Sequence, residues 1–387
     1  MTAGGAYHPL SPTRILDTRN GIGGRMSPLG TGESWSLAVA GQGGVPANAV
    51  AVVMNVTVTD TTSPSYLTLY PTGVTRPTAS NLNWAAGQTI PNLVEVKLGT
   101  GGKVDLFNHA GQTDVVADLE GWVGPPQAST NSTGLYQPVV PARLLDTRDG
   151  TGGYSTPLAQ GQSLHLQVTS RGGVPAAGVA GVVLDVTVTN ATASSYLTAW
   201  PSGTALPLAS NLNFVAGQTI PNRVMVKLDA NGQVDLYNHA GSVDVVVDVN
   251  GWFSDGTTAS AGSGFTGVTP SRILDTRSGL GGIASPVGAG GSIALQVAGR
   301  GGVPAMSASA PPKAVVLNVT ATDTTAPSFL TVWPDGTSRP WTSDLNWIAG
   351  VTIPNLTVVR IGPDGEIDLY NHLGSADIVV DVIGYYN

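Results

Sequence analysis

Val50 to Thr59 read Val-Ala-Val-Val-Met-Asn-Val-Thr-Val-Thr, a run of β-branched residues in which apolar and polar side chains partly alternate. Further along, residues 114–119 read Asp-Val-Val-Ala-Asp-Leu, which puts Asp114 and Asp118 on one face of an extended chain. Runs of this kind are typical of β-strands, and Gly and Pro clusters bound them. No stretch combines a helical period with capping residues. The sequence therefore predicts an all-β fold.

Three copies of one unit fill the chain. The motif Arg-(Ile/Leu)-Leu-Asp-Thr-Arg occurs at 14–19, 143–148 and 272–277, and Gly-Val-Pro-Ala follows at 44–47, 173–176 and 302–305. The spacing is too long for a solenoid rung or a propeller blade and matches a whole domain. We predict three tandem β-sandwich or jelly-roll domains of about eight strands. They occupy 1–124, 125–253 and 254–387, and the second and third each begin with a linker.

The linkers are predicted from composition. Residues 124–133 and 254–264 are small, polar and rich in Pro or Gly, as flexible connections are. The sequence leaves two arrangements open: a cluster with pseudo-threefold symmetry, or a string of domains.

Composition excludes several classes of protein. Only 11% of the 387 residues are charged, and 25 acids outnumber 17 bases, which excludes a nucleic-acid binder that works through a basic face. The absence of Cys removes disulfides and Cys-type zinc sites. No run of about 18 apolar residues is present, so no membrane insertion is expected. The first six residues do not read as a signal peptide. We therefore expect either that a leader was removed or that the protein is released by lysis, as virion proteins are. No cofactor and no metal are predicted.

The repeated motif resembles the tandem repeats of secreted and surface proteins of actinobacteria. The Gly-Val-Pro-Ala mark and the closing Asp-Val-Val-Val-Asp-Val-Asn-Gly-Trp-Phe at 244–253 agree with this, and the match covers nearly the whole chain three times. In that family the repeats often accompany hydrolase domains as accessory modules. The resemblance implies that repeats without a hydrolase domain are themselves the functional protein. On a chain without a leader, they would suit a tail or capsid accessory protein of an actinobacteriophage.

The repeated Arg and Asp side chains are predicted to form structural ion pairs between the motif and the closing strand. A hydrogen-bonded pair is how a sandwich keeps internal charge. Arg14 or Arg19 has Asp105, Asp114 or Asp118 as candidate partners. The alternative is an anion-binding or calcium-binding loop at 17–24, 146–153 and 275–282, and we favour the structural ion pairs over it. The predicted ion-pair residues are Arg14, Asp17, Arg19, Asp118, Arg143, Asp146, Arg148, Asp248, Arg272, Asp275, Arg277 and Asp381.

Two further sets recur and are candidate ligand-binding residues. His109, His239 and His372 each follow an Asn before a Gly-containing turn. They would be metal or ligand contacts if they converged on a common axis, and turn-capping side chains otherwise. The second set pairs an amide with a flat ring, as a sugar platform would, although covering one end of the core is the alternative. Its members are Asn83, Trp84, Asn213, Phe214, Asn346 and Trp347.

These features favour a non-enzymatic structural or attachment protein that acts outside the cell, on a cell surface or in a virion. Its expected partners are other structural proteins of the same assembly, and linkage of three modules raises avidity. The alternative is a carbohydrate-binding module for a bacterial envelope or another polysaccharide, with a surface glycan as partner. A glycosidase needs two facing carboxylates, and none of the four Glu recurs at an equivalent position. Catalysis is therefore disfavoured.

Overall fold

A computed structural model describes residues 4–126, 132–257 and 262–387 of the chain, and these residues form 24 strands and no helix. Unit 1 contains β1 (Gly5–Asp17), β2 (Ser34–Ala38), β3 (Ala51–Thr59), β4 (Ser65–Pro71), β5 (Leu82–Trp84), β6 (Ile90–Lys97), β7 (Lys103–Asn108) and β8 (Asp114–Pro126). Unit 2 contains β9 (Thr133–Asp146), β10 (Ser163–Gln167), β11 (Val179–Thr189), β12 (Ser195–Pro201), β13 (Leu212–Phe214), β14 (Ile220–Lys227), β15 (Gln233–Asn238) and β16 (Asp244–Asp255). Unit 3 contains β17 (Phe265–Asp275), β18 (Ser292–Gln296), β19 (Ala314–Thr322), β20 (Ser328–Pro334), β21 (Leu345–Trp347), β22 (Ile353–Arg360), β23 (Glu366–Asn371) and β24 (Asp377–Tyr386).

Each unit is a jelly roll of two antiparallel sheets. In unit 1 the strand order is β1-β8-β3-β6 in one sheet, which we call the central sheet, and β2-β7-β4-β5 in the other, the outer sheet. β1 also pairs with β17, so the central sheets of units 1 and 3 join edge to edge. Units 2 and 3 repeat both orders with their own strands. This is the eight-strand, two-sheet order of a double Greek key. The all-β, jelly-roll prediction is therefore confirmed.

The central sheets are buried on both faces, which explains the composition of their strands. In β3 every residue except Thr59 is buried. One set of side chains, including Val52 and Met54, packs inside the sandwich of unit 1. The alternate set, including Ala51 and Val53, packs on the opposite face. A strand covered on both sides reads as a nearly continuous apolar run, so the alternation is incomplete.

The opposite faces of the three central sheets meet in one shared core. It takes Tyr7 and Leu93 from unit 1, Tyr136 from unit 2, and Phe265 and Tyr386 from unit 3. The rings of Tyr136 and Tyr386 lie 4.5 Å apart, centre to centre. Each unit also buries apolar side chains between its own two sheets, and the interior of unit 2 continues into that of unit 3. The three units are thus clustered rather than strung out, and their cores are not independent.

A cyclic set of hydrogen bonds joins the units around the shared core. It is built on Asn92, Asn222 and Asn355, one from each Ile-Pro-Asn sequence. Asn222 Nδ2 donates to Asn55 Oδ1 of unit 1 at 2.8 Å, and its Oδ1 accepts from the Leu93 amide at 3.1 Å.

The other two asparagines repeat this pattern. Asn92 bonds to Asn318 Oδ1 and the Leu356 amide of unit 3. Asn355 bonds to Asp185 Oδ1 and the Arg223 amide of unit 2. The bonds run from unit 1 to 3, from 3 to 2 and from 2 to 1, so the arrangement has pseudo-threefold symmetry.

Parts of the predicted linkers belong to strands. β8 extends to Pro126, which lies opposite Gly5 of β1, so the predicted boundary between Gly124 and Pro125 falls within a strand. In the second linker, Ser263 pairs with Tyr136 as an isolated bridge. Backbone pairing holds these Gly- and Pro-rich residues, which composition alone assigns to flexible chain. The linker residues 127–131 and 258–261 lie outside the described residues.

Candidate functional site

The Arg-(Ile/Leu)-Leu-Asp-Thr-Arg motif places its first Arg directly opposite an Asp of the closing strand. Arg14 of β1 is in register with Asp118 of β8. Arg14 Nε donates to Asp118 Oδ1 at 2.8 Å and Nη2 donates to Oδ2 at 3.0 Å, a bidentate pair. Arg19 turns back to donate to both oxygens of Asp17 at 2.9 and 2.8 Å. Asp17 therefore accepts from two arginines, because Arg14 Nη1 also approaches it at 3.4 Å.

The same network occurs in all three units. All twelve side chains predicted as structural ion pairs lie in these networks, and Asp118 and its counterparts supply the carboxylate on the closing strand. The equivalent pairs are Arg143 with Asp248 and Asp146, Arg148 with Asp146, Arg272 with Asp381 and Asp275, and Arg277 with Asp275. Asp114 instead accepts a hydrogen bond from the hydroxyl of Thr18.

A glycine of the following turn allows this geometry. Gly23 has φ of +84°, and a Cβ there would lie 2.5 Å from the carbonyl oxygen of Ile15. Gly152 and Gly281 meet the carbonyls of Leu144 and Ile273 in the same way. Only Gly combines positive φ with so close a backbone approach. The Gly-rich segment is thus a tight turn that returns the chain onto the motif strand.

Burial and pairing move the pKa values of the two Asp positions in opposite directions. Hydrogen bonds from Arg19 hold the pKa of Asp17 below its usual range, and Arg148 and Arg277 do the same for Asp146 and Asp275. Burial raises the pKa of Asp118 despite its pair with Arg14. Burial likewise dominates for the pKa values of Asp248 and Asp381, which are raised. Each carboxylate is committed to an arginine rather than free for proton transfer.

These networks lie at the boundaries between units. The Ser210 amide of unit 2 donates to Asp118 Oδ2 of unit 1 at 3.3 Å. Arg272 Nη2 of unit 3 donates to the carbonyl of Thr78 in unit 1 at 3.3 Å. The motif of one unit therefore faces the segment before the fifth strand of the next unit.

Clefts open beside two of these boundaries. The larger has a volume of about 310 Å³ and lies between units 3 and 1. Unit 3 supplies Arg272, Arg277 and Thr320 to its wall, and unit 1 supplies Tyr66 and Asn83. A smaller cavity of about 60 Å³ lies at the equivalent place between units 1 and 2, where Arg14, Thr57 and Asn213 line it.

The rings proposed as a sugar platform are buried. Trp84, Phe214 and Trp347 are 4–5% exposed and pack inside the sandwiches. Trp84 Nε1 donates to the carbonyl of Ser63 at 3.1 Å. These rings pack against core side chains, which matches the alternative interpretation that each ring covers one end of the core. The amides beside them are half-buried, and Asn83 and Asn213 line the boundary clefts.

The three repeated histidines do not converge. Each is exposed and lies just after the seventh strand of its unit, on the outer sheet. His109 stacks on Tyr66 at 4.7 Å, and His239 and His372 stack on Tyr196 and Phe329 at 4.6 Å. These imidazoles therefore do not gather at a common ion, and no cluster of potential metal ligands among the described residues includes them.

The described residues contain one cluster of potential metal ligands, formed by Asp335, Asp364 and Glu366 of unit 3. It is partly exposed and has no repeat in the other units, and Asp368 lies beside it with a pKa raised by burial and by these neighbouring acids. Within the same residues no helix is long and apolar enough to span a membrane.

Sequence reasoning missed a buried ionic cluster at the boundary between units 2 and 3. Arg223 is fully buried and donates to Asp344 Oδ1 of unit 3 at 2.6 Å, to Asn250 Oδ1 and to the Leu356 carbonyl. Asp185 lies 3.7 Å away, with a pKa raised well above its usual range by burial.

The other two boundaries lack the arginine. Leu93 and Leu356 occupy the position of Arg223. Glu120, at the position of Asn250, accepts from Asn211 at 3.0 Å, and burial raises its pKa well above its usual range. The departures from the repeat at Arg223, Asp344 and Asp185 were the sequence signal for this cluster.

No protein-family model and no curated protein matches the chain. Among solved structures, the chain is similar to one described as "Life in the extremes: atomic structure of Sulfolobus Turreted Icosahedral Virus", with 11% identity and a TM-score of 0.19 over 99% of this chain and 90% of that one. It is also similar to "The Triple Jelly Roll Fold and Turret Assembly in an Archaeal Virus", at 10% identity and a TM-score of 0.18, covering 100% and 97%. A third is a tandem CBM22 domain of Paenibacillus barcinonensis Xyn10C, at 10% identity and a TM-score of 0.17, covering 64% and 100%. At these scores the jelly-roll assignment depends on the strand order of the chain itself.

Proposed function

We propose that the protein is a non-enzymatic structural or attachment protein that works outside the cell, as a cell-surface component or as a tail or capsid accessory protein of a virion. One observation carries the proposal. Three jelly rolls are fixed to one another by a shared apolar core and by the cyclic Asn92–Asn222–Asn355 hydrogen bonds. One chain therefore presents three equivalent outer sheets in a fixed relation.

The use of the repeated acids supports a scaffold rather than a catalyst. General acid–base chemistry needs a carboxyl group that is free to exchange a proton with a bound substrate. Asp17, Asp118 and their counterparts are held by arginines in every unit. A threefold scaffold suits repeated weak contacts to neighbouring structural proteins, because linked contacts multiply avidity without new chemistry.

Immunogold electron microscopy tests the location and the assembly together. Antibodies against the purified chain are applied to the source cells and to particles released on lysis. We expect gold at regular positions on the cell surface or on the particles. Label confined to the cytoplasm, with none on surfaces or particles, would contradict the proposal.

Carbohydrate binding is a second candidate function, and one observation favours it. The 310 Å³ cleft between units 3 and 1 is lined by hydroxyl, amide and guanidinium groups. The buried rings of Trp84 and Phe214 give it no support, whereas Trp347 also lines a separate cavity of about 220 Å³. A glycan array probed with the labelled chain tests this function separately from the scaffold proposal.

A further inference from the structure

The two boundaries that carry clefts, between units 3 and 1 and between units 1 and 2, are lined by equivalent residues. Each has the motif arginines on one side and a Ser and an Asn from the next unit on the other. Two residues before that Ser stands Thr78 in unit 1, Leu208 in unit 2 and Trp341 in unit 3. All three side chains are exposed. The smallest of them, Thr78, stands at the boundary where the cleft has 310 Å³ instead of 60 Å³. We call this larger cavity the Thr78 cleft.

A buried hydroxyl without a partner lines the Thr78 cleft. Thr320 is 5% exposed, and its Oγ1 has no hydrogen-bond partner among the described residues. Thr57, its counterpart in the 60 Å³ cavity, is 4% exposed and also lacks one. A buried polar group normally finds a partner, and these two threonines each line a cavity that can hold one. The 310 Å³ cleft has the volume of about ten waters, which is room for one sugar ring, whereas 60 Å³ holds about two.

The charges in the Thr78 cleft balance. Arg272 and Arg277 are the cations of its wall, and Asp381 and Asp275 neutralise them through the pairs described above. No carboxylate lines the cavity itself, so a cation would meet two arginines with no negative group facing it. An anion would have to compete with carboxylates that already hold both arginines. The lining suits a neutral ligand with many hydroxyl groups.

The mouth of the cleft supplies an aromatic wall. Tyr66 lines it and is stacked on His109 at 4.7 Å, which fixes the orientation of the phenol ring. Asn83 adds an amide on the same side, and Thr322 and Thr352 share a hydrogen bond of 2.7 Å on the other. A few placed polar groups beside an aromatic surface are the usual composition of a small-ligand site.

We propose that the Thr78 cleft binds one residue of a neutral saccharide, with Thr320 Oγ1 hydrogen-bonded to a sugar hydroxyl and Tyr66 against the ring. The proposal rests on the second candidate function, carbohydrate binding, and assigns it a site and a class of ligand. The cavity of about 60 Å³ at the equivalent place between units 1 and 2 is too small for a sugar ring, so we expect no sugar there.

Ligand-observed NMR with saturation transfer tests the proposal on the full chain. The probes are the methyl glycosides of glucose, galactose, mannose and N-acetylglucosamine, each alone, with glucuronate as the charged comparison. We expect at least one neutral probe to bind with a dissociation constant in the millimolar range, and glucuronate to bind no better. Failure of every neutral probe, or binding of glucuronate alone, would overturn the proposal.

Three variants assign the binding to the cleft. Thr320→Val removes the unpartnered hydroxyl and is expected to weaken binding about three- to tenfold, the worth of one hydrogen bond. Thr357→Val is the matched control, because Thr357 Oγ1 is also buried and unpartnered but lies outside the cleft. Thr78→Trp places a large ring on the lining of the cleft and is expected to abolish binding, and thermal melts verify that each variant folds.

The outcomes separate the site from the function. If wild-type chain binds a glycan on the array but Thr78→Trp and Thr320→Val bind equally well, the cleft is wrong and carbohydrate binding stands. If the array and all neutral probes are blank, both fail. Equal weakening by Thr320→Val and Thr357→Val would also count against the cleft.

Discussion

Replacing Arg223 by leucine tests how the boundary between units 2 and 3 is stabilised. Leucine is the residue that units 1 and 3 carry at this position. The change removes the bond of 2.6 Å to Asp344 and leaves that carboxylate, and Asp185 beside it, buried without a cation. Breaking a buried pair from one side costs about 3–5 kcal/mol, because the remaining charge is uncompensated. We expect the free energy of unfolding to fall by that amount.

The triple variant Arg223→Leu, Asp344→Asn, Asp185→Asn is the decisive comparison. It installs the residues that stand at all three positions of unit 1, where Asn55 and Asn81 replace the acids. By analogy with the bond from Asn211 to Glu120, an amide at 344 can donate to Asn250. By analogy with the bond from Asn55 to the Ser210 carbonyl, an amide at 185 can donate to the Ser343 carbonyl. Every new polar group then has a partner.

Buried ion pairs replaced by well-packed neutral groups are often neutral or stabilising by about 1–4 kcal/mol. We therefore expect the triple variant to recover most of the stability that Arg223→Leu loses. Urea denaturation followed by tryptophan fluorescence and circular dichroism measures both. A triple variant as unstable as the single one would refute the reasoning, as would a loss below about 1 kcal/mol for Arg223→Leu.

Three other predictions concern the shared core and the ion pairs. Asn222→Ala removes hydrogen bonds to the Leu93 amide, the Asn211 carbonyl and Asn55, so the free energy of unfolding in urea should fall by about 3–5 kcal/mol. The control Asn213→Ala, at a half-buried position, should cost under about 1 kcal/mol. Similar losses for both variants would contradict the cyclic arrangement. Burial raises the pKa of Glu95 from 4.5 to about 8, so between these pH values the native state holds a proton that the unfolded state releases. Over that range Glu95 lowers the free energy of unfolding by about 1.4 kcal/mol for each unit by which the pH rises. Glu95→Gln should lack that slope in thermal melts run from pH 5 to 8, and parallel curves for the two proteins would rule the assignment out. Asp248→Asn breaks the bidentate pair with Arg143 and should cost about 3 kcal/mol by urea denaturation; no measurable loss would mean that solvent screens the pair.

The fold was predictable from sequence because its signals are local and occur three times. Strand runs such as Val50 to Thr59 and the Gly-rich turns need only neighbouring residues for their interpretation. The partner of Arg14 was one of three candidates until the register of β1 and β8 placed Asp118 opposite it. Trp84 could not be assigned from sequence, since a ring beside an amide suits both a sugar platform and a core, and burial alone separates the two.

The site depends on which faces the units turn toward one another. His109, His239 and His372 occupy equivalent positions, as the ligands of a site on the axis would, yet they lie on the outer sheets. Asn92, Asn222 and Asn355 recur equally, and they are the residues that join the units. Repetition marks both sets in the same way, because it records equivalence among units and carries no information about orientation.

The sequence by itself determined that three similar strand-built bodies follow one another, since hydrophobic period, turn residues and repeat spacing are properties of nearby residues. Only the tertiary structure decided that these bodies pack around a common core, that Arg223 has a counter-charge in another unit, and that a cleft of about 310 Å³ lies between units 3 and 1. Contacts between side chains more than a hundred residues apart depend on how the folded sheets pack against one another, and the pattern of neighbouring residues does not reveal that packing.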